Sequence, residues 1–144
     1  MIRYLLVVIA LGVALAGCAG KKAAEEVFTL AGLWKPVQAE LGGEDLPVST
    51  FGGATLELTP GTYAFAGDHG TYELLARLLS RRSAGEMDMH GRAGPNAGHT
   101  IPAIYDLNDD ELKICYQLGD GSRPKEFATR KGARVLYVRY KRVQ

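Results

Sequence analysis

Few residues in this chain combine the types and spacing that chemistry requires. Cys115 is one of two cysteines, and a catalytic thiol needs a lowered pKa and a base within hydrogen-bond reach. Arg123 would lower the pKa of a neighbouring thiol, but the available bases, His69, His90 and His99, all sit in glycine-rich, turn-like stretches away from it. A small buried side chain is therefore the expected role of Cys115. Asp88 and His90, two apart, would share one face of a strand, and His99 could add a third metal ligand. The stretch "GRAGPNAG" separates the two histidines, and no compact histidine pair exists. Solvated loop histidines are the expectation, with no metal. The chain also has no G-x-S-x-G, no phosphate-cradling glycine loop leading into a helix, and no paired-carboxylate motif. Neither a cofactor nor catalysis is expected.

Arg123-Pro124 invites a clamp, because arginine grips a carboxylate through two parallel bonds. The favoured alternative is that Arg123 pairs with Asp88 or Asp110 and fixes the turn before the last strand. Tyr63, Phe65, Tyr105 and Tyr137 are candidates for the interior of a small barrel, where aromatics fill a core more often than they surround a ligand. The candidate ligand-contacting set is Tyr63, Tyr105, Cys115 and Arg123.

The elements that must position these residues are short. From Gly32 onward, apolar runs alternate with turn residues: "GLWKPVQAEL", "ATLELT", "GTYAFAG", "GTYELLA", "GEMDMHG", "IPAIYDL", "ELKICYQL" and "ARVLYVRYKR". Pro60-Gly61 between two alternating runs signals a hairpin. About eight strands at regular spacing predict an all-β antiparallel sandwich or barrel. In "ELKICYQL", Leu112, Ile114 and Tyr116 share one face and Lys113, Cys115 and Gln117 the other. In the last run, Val135, Tyr137 and Arg139 alternate with Leu136, Val138 and Tyr140. "ELLARLLSRR", within 74–82, also has helical leucine spacing and is ambiguous.

The N-terminus is a separate segment. Met1-Ile2-Arg3 followed by "YLLVVIALGVALA" has the charge and length of a signal peptide. It ends in Leu15-Ala16-Gly17-Cys18, which resembles a bacterial lipobox. That resemblance implies cleavage after residue 17, a lipid on the Cys18 thiol, and membrane attachment through several acyl chains. Ala19 after the cysteine resembles outer-membrane sorting in two-membrane bacteria, with the protein facing the periplasm. Residues 18–30 then read as a lipidated tether and 31–144 as the domain. Removal of 1–17 takes Arg3 and no acid, leaving 16 basic against 16 acidic residues. Such a balance argues against nucleic acid as a partner. It also leaves Cys115 as the free thiol, with no intrachain disulfide possible.

Two resemblances bear on the fold. Gly32-Leu33-Trp34 with Arg139 resembles lipocalin-like barrels, where a late arginine covers a tryptophan at the barrel floor. "IPAIYDLNDDELKICYQLGDGSRPKEFAT" resembles the planctomycete-type lipocalin-like domain family. Ile104, Tyr105, Leu107, Asp110, Leu112, Cys115, Arg123, Pro124 and Phe127 fit its pattern, as do Met87-Asp88, Trp34, Glu40 and Gly42-Gly43. The chain departs from the pattern at "RRSAGEMD", where the family usually carries a proline before the apolar-Asp pair, so the strand edges near 83–86 are open. The resemblance implies a lipocalin-like barrel in a lipid-anchored or secreted single domain, and no established reaction. It leads to a membrane-anchored, non-catalytic binding module for a small apolar or amphipathic ligand. The alternative is an envelope protein-interaction module with a filled core. An open interior supports the first, and a solid core of Trp34, Phe65, Tyr105 and Leu136 the second.

Overall fold

The computed structural model describes residues 30–59, 61–65, 70–77 (as a backbone strand) and 84–144. The signal stretch, Cys18, the tether up to 29, His69 and residues 78–82 lie outside the described residues. Strands form wherever the alternating runs predicted them. They are β1 (Gly32–Leu41), β3 (Leu56–Thr59), β4 (Thr62–Phe65), β5 (Gly70–Arg77), β6 (Ala84–Ala93), β7 (Thr100–Asn108), β8 (Glu111–Gln117) and β9 (Val135–Arg142). A two-residue strand, β2 (Glu44–Asp45), and a short 3-10 turn, Val48–Phe51, follow β1. The ambiguous leucines Leu74 and Leu75 fall within β5, and Ala84 to Glu86 fall within β6.

From β3 to β9 each strand pairs antiparallel with the next, and β9 closes on β1. The result is an up-and-down barrel of eight strands with β2 as a short extra edge. Closure removes the free sheet edges that would otherwise recruit other chains. The seam at β1 is asymmetric. β1 pairs with β3 only from Gly32 to Trp34, but with β9 along its length from Trp34 to Leu41. Pro36, lacking an N–H, sits just beyond the β3 pairing, and the register with β9 slips between Pro36 and Gln38. That bulge inserts one residue, so the inward phase passes from Trp34 and Pro36 to Ala39.

Period-two alternation sends Leu56, Leu58, Met87, Ala103, Tyr105, Leu112, Ile114 and Val138 inward, all buried. Two cross-strand relationships close the lower end. Trp34 faces Arg142 in register, and Tyr105 lies across its partner Gly85, where a Cβ would come within 2.8 Å of the phenol oxygen. Leu30, 1% exposed, already belongs to this floor, accepting a 2.9 Å hydrogen bond from Trp34 Nε1.

Residues 118–134 have no strand pairing and run as a strap across the outer face of β6 to β9. It is pinned at both ends of its course. Leu118 N–H donates to Arg134 O at 2.8 Å, and Thr129 Oγ1 accepts from Gly43 N–H at 2.8 Å while donating to Glu40 at 3.2 Å. Gly43 must be glycine here: its φ is 84°, and a Cβ would stand 2.6 Å from the Lys131 nitrogen.

Candidate functional site

A cavity of about 720 Å³ occupies the end of the barrel opposite Trp34, within the size range of small-ligand sites. Its rim comes from Thr50 to Ala54, from Asn96 in the β6–β7 turn, and from Leu118 at the start of the strap. Its walls are Phe51, Phe65, Met89, Ile101 and Leu136. Phe51 and Phe65 meet edge to face at 5.6 Å, a favoured geometry for aromatic rings. Phe65, Met89, Ile101 and Leu136 are there because each has inward parity on its strand, near the end that faces the mouth, while Phe51 comes from the 3-10 turn after β2.

The base of the cavity is polar. Tyr63 of β4, Tyr116 of β8 and Tyr140 of β9 all line it, and their hydroxyls meet. The Tyr63 and Tyr116 oxygens are 3.1 Å apart, and those of Tyr116 and Tyr140 2.8 Å. All three rings are buried. Burial pushes the Tyr116 hydroxyl well above the usual phenol range, and the neighbouring Tyr140 and Tyr63 push it further. Burial also raises Tyr140, against the opposing effect of its hydrogen bonds with Tyr116 and Tyr63. Tyr116 and Tyr140 therefore stay protonated at ordinary pH and bring hydroxyl hydrogen bonding, not charge, to the base. Among the described lining residues there is no Lys, Arg, His, Asp or Glu.

Below the tyrosines lie the fully buried residues of the core. Trp34 and Tyr105 belong to this filled half, while Phe65 and Leu136 line the cavity. Of the four ligand-contacting candidates, the cavity lining includes Tyr63 alone. Tyr105 points inward but lies lower, in the packed half. Cys115 and Arg123 are on the other side of the wall.

Cys115 has outward parity on β8 yet is 0% exposed, because the strap covers it. Its thiol approaches Ala128 O at 3.8 Å, and burial pushes its pKa from 9.0 up to about 11, the Ala128 bond opposing the rise. A thiol so placed is the reverse of an activated nucleophile. Tyr137, its register partner on β9, shares that outer face under the strap and is not an interior aromatic.

Arg123 projects from the strap onto the outer face of β6 and β7. One guanidinium nitrogen donates to Met87 O at 2.9 Å and Ala103 O at 2.8 Å, and another binds the Asp88 carboxylate. Its Nε lies 3.5 Å from Glu86. The favoured pairing with Asp88 is present, and Asp88 is thereby committed to Arg123. His90 faces Thr100 across the ladder, ring nitrogen to hydroxyl 3.0 Å, and His99 sits in the mouth turn. Among the described residues no three His, Cys, Asp or Glu side chains are grouped to hold a metal ion.

The floor arginine is Arg142, not Arg139. The Arg142 guanidinium carbon stands 4.2 Å from the Trp34 ring centroid, its Nη1 donates to Ala31 O at 2.9 Å, and its Nε lies 3.3 Å from Asp110. Arg139 has the opposite parity and sits outside, 3.9 Å from Glu111. Parity would have found this: Arg142 is in phase with Tyr140 and Val138, and Arg139 with Tyr137. Gly32, at φ 141°, completes the floor, since a Cβ there would meet Arg142 Nη1 at 2.9 Å.

Compared with known proteins, the chain matches no family model, no curated protein and no solved structure.

Proposed function

We propose that this protein is a lipocalin-like binding module, anchored in a bacterial envelope through a lipid on Cys18, that holds a small apolar or amphipathic ligand. The observation that carries the reading is the cavity of about 720 Å³, walled by apolar side chains and floored by buried hydroxyls. A site that encloses most of a ligand in apolar surface, with a few fixed polar groups, is how small-molecule pockets bind. The Gly32-Trp34 opening and the Tyr105-to-Phe127 pattern support the lipocalin-like assignment. The Leu15-Ala16-Gly17-Cys18 motif, with Ala19, supports a place on the outer membrane facing the periplasm. The interaction-module alternative draws its support from a filled interior, and here the filling stops below the tyrosines.

The test of binding uses N-phenyl-1-naphthylamine, a neutral apolar probe that brightens on leaving water. Wild-type protein should take it up, and Ala54→Trp, which fills the rim, should abolish the uptake without loss of fold. An equal signal from both proteins, or none from the wild type, sinks the reading. Native mass spectrometry of protein from its own envelope then searches for a co-purified ligand. Mass spectrometry of the mature N-terminus reads the anchor: an unmodified Cys18 after processing refutes lipidation.

A further inference from the structure

We infer that the ligand is uncharged and enters polar end first, seating a hydroxyl group on the Tyr63–Tyr116–Tyr140 hydroxyls with its apolar body toward the mouth. This rests on the binding-module reading and names the ligand class of the same cavity.

The polar groups of the described lining fall in two places. Thr50 and Asn96 stand at the rim, and the three phenol hydroxyls meet at the base. Between them the walls are apolar. At the base, Tyr116 is 3% and Tyr140 2% exposed, so water has little access to whatever lone pairs or protons their mutual bonds leave over. A hydroxyl carries one donor and two lone pairs, so the Tyr116 and Tyr140 oxygens keep a lone pair beyond the bonds they make within the trio. A ligand hydroxyl can donate to it.

Charge decides the class. No cationic or anionic side chain among the described lining residues could pair with a carboxylate or ammonium at the base. An ion taken there would shed its hydration for hydrogen bonds alone, a cost that grows steeply in apolar surroundings. The Tyr116 and Tyr140 phenols, held protonated by burial, supply no counter-charge either. A neutral polar group loses far less water and recovers it in hydrogen bonds to the trio.

The experiment compares 1-octanol, 1-chlorooctane and octanoate as competitors of N-phenyl-1-naphthylamine at neutral pH. Octanol should compete about fivefold better than chlorooctane, the equivalent of one net hydrogen bond, and about tenfold or more better than octanoate. Tyr116→Phe should remove the octanol advantage and leave chlorooctane unchanged within about twofold. Tyr140→Phe repeats the test on a different strand, so a folding defect in one variant does not decide the result. If octanoate matches octanol, or if octanol keeps its advantage in both variants, the polar end is not at the base and this inference falls while the binding reading stands. If the naphthylamine probe itself is not taken up by wild type, both fall.

Discussion

Arg123→Ala should unfasten the strap and cost the protein about 3 kcal/mol. The guanidinium makes two hydrogen bonds to backbone carbonyls, Met87 O and Ala103 O, and an ion pair with Asp88. A charged donor contributes roughly 1.5 kcal/mol per bond, less where water can replace it, and this side chain is 21% exposed. The partly screened ion pair adds about 1 kcal/mol at most. A loss of about 3 kcal/mol corresponds to a fall of roughly 10 °C in Tm for a domain of this size. Trp34, the single tryptophan and fully buried, reports unfolding in urea by its fluorescence. Arg123→Lys keeps the charge but loses the planar fork that spans both carbonyls, so it should recover less than half of the loss. A cycle with Asp88→Asn should give a coupling of about 1 kcal/mol. The reasoning is refuted if Arg123→Ala shifts the urea midpoint by less than the equivalent of about 0.5 kcal/mol at unchanged slope.

Arg142→Leu should destabilise the fold by about 2 kcal/mol and alter Trp34 emission, whereas Arg139→Leu should stay within about 0.5 kcal/mol of wild type; similar losses from both would overturn the floor assignment. Gly43→Ala should cost more than about 2 kcal/mol by urea unfolding, because the left-handed backbone and the contact with the Lys131 nitrogen both oppose a Cβ; a neutral effect would show that the strap is not pressed there. Cys115 gives a pH dependence. Its thiol is raised from 9.0 to about 11 on folding, so the stability it supports is complete below pH 9 and is lost as pH rises towards 11. By pH 10 this loss is about 1.4 kcal/mol, and Cys115→Ala, compared by slope, should lack it; identical slopes between pH 8 and 10 would show that the thiol does not sense burial.

The eight runs that became barrel strands were legible because half-buried strands write their environment as alternation. That rule alone puts Tyr116 on one face of β8 with Leu112 and Ile114, and the structure makes that face the inner one. What alternation could not supply was company. Tyr63, Tyr116 and Tyr140 come from β4, β8 and β9, and only the register of the closed barrel brings their hydroxyls together. The strap hid itself differently. Residues 118–134 are rich in Gly, Lys and Arg and show no period, so nothing local announces that they bury the outer face of β8. Cys115 could thus be read as buried but not as buried on the far side of the wall. Arg139 was chosen over Arg142 through the resemblance, although phase with Tyr140 favours the latter. The residues that carried the family pattern now have physical tasks: Asp88 holds Arg123, Asp110 lies beside Arg142, and Glu40 accepts from Thr129. They fasten the barrel's exterior and floor, and none lines the cavity.

The direction of the chain gives the barrel a pole. β1 leaves the Trp34 floor at Gly32, β9 returns to it at Arg142, and the cavity opens at the other end. Leu30, where the domain takes up the chain that leads from Cys18, is part of that floor. The cavity mouth therefore lies at the pole away from the point where the chain enters, so a tether through the N-terminus, as the proposed lipid on Cys18 would be, joins the barrel at its closed end.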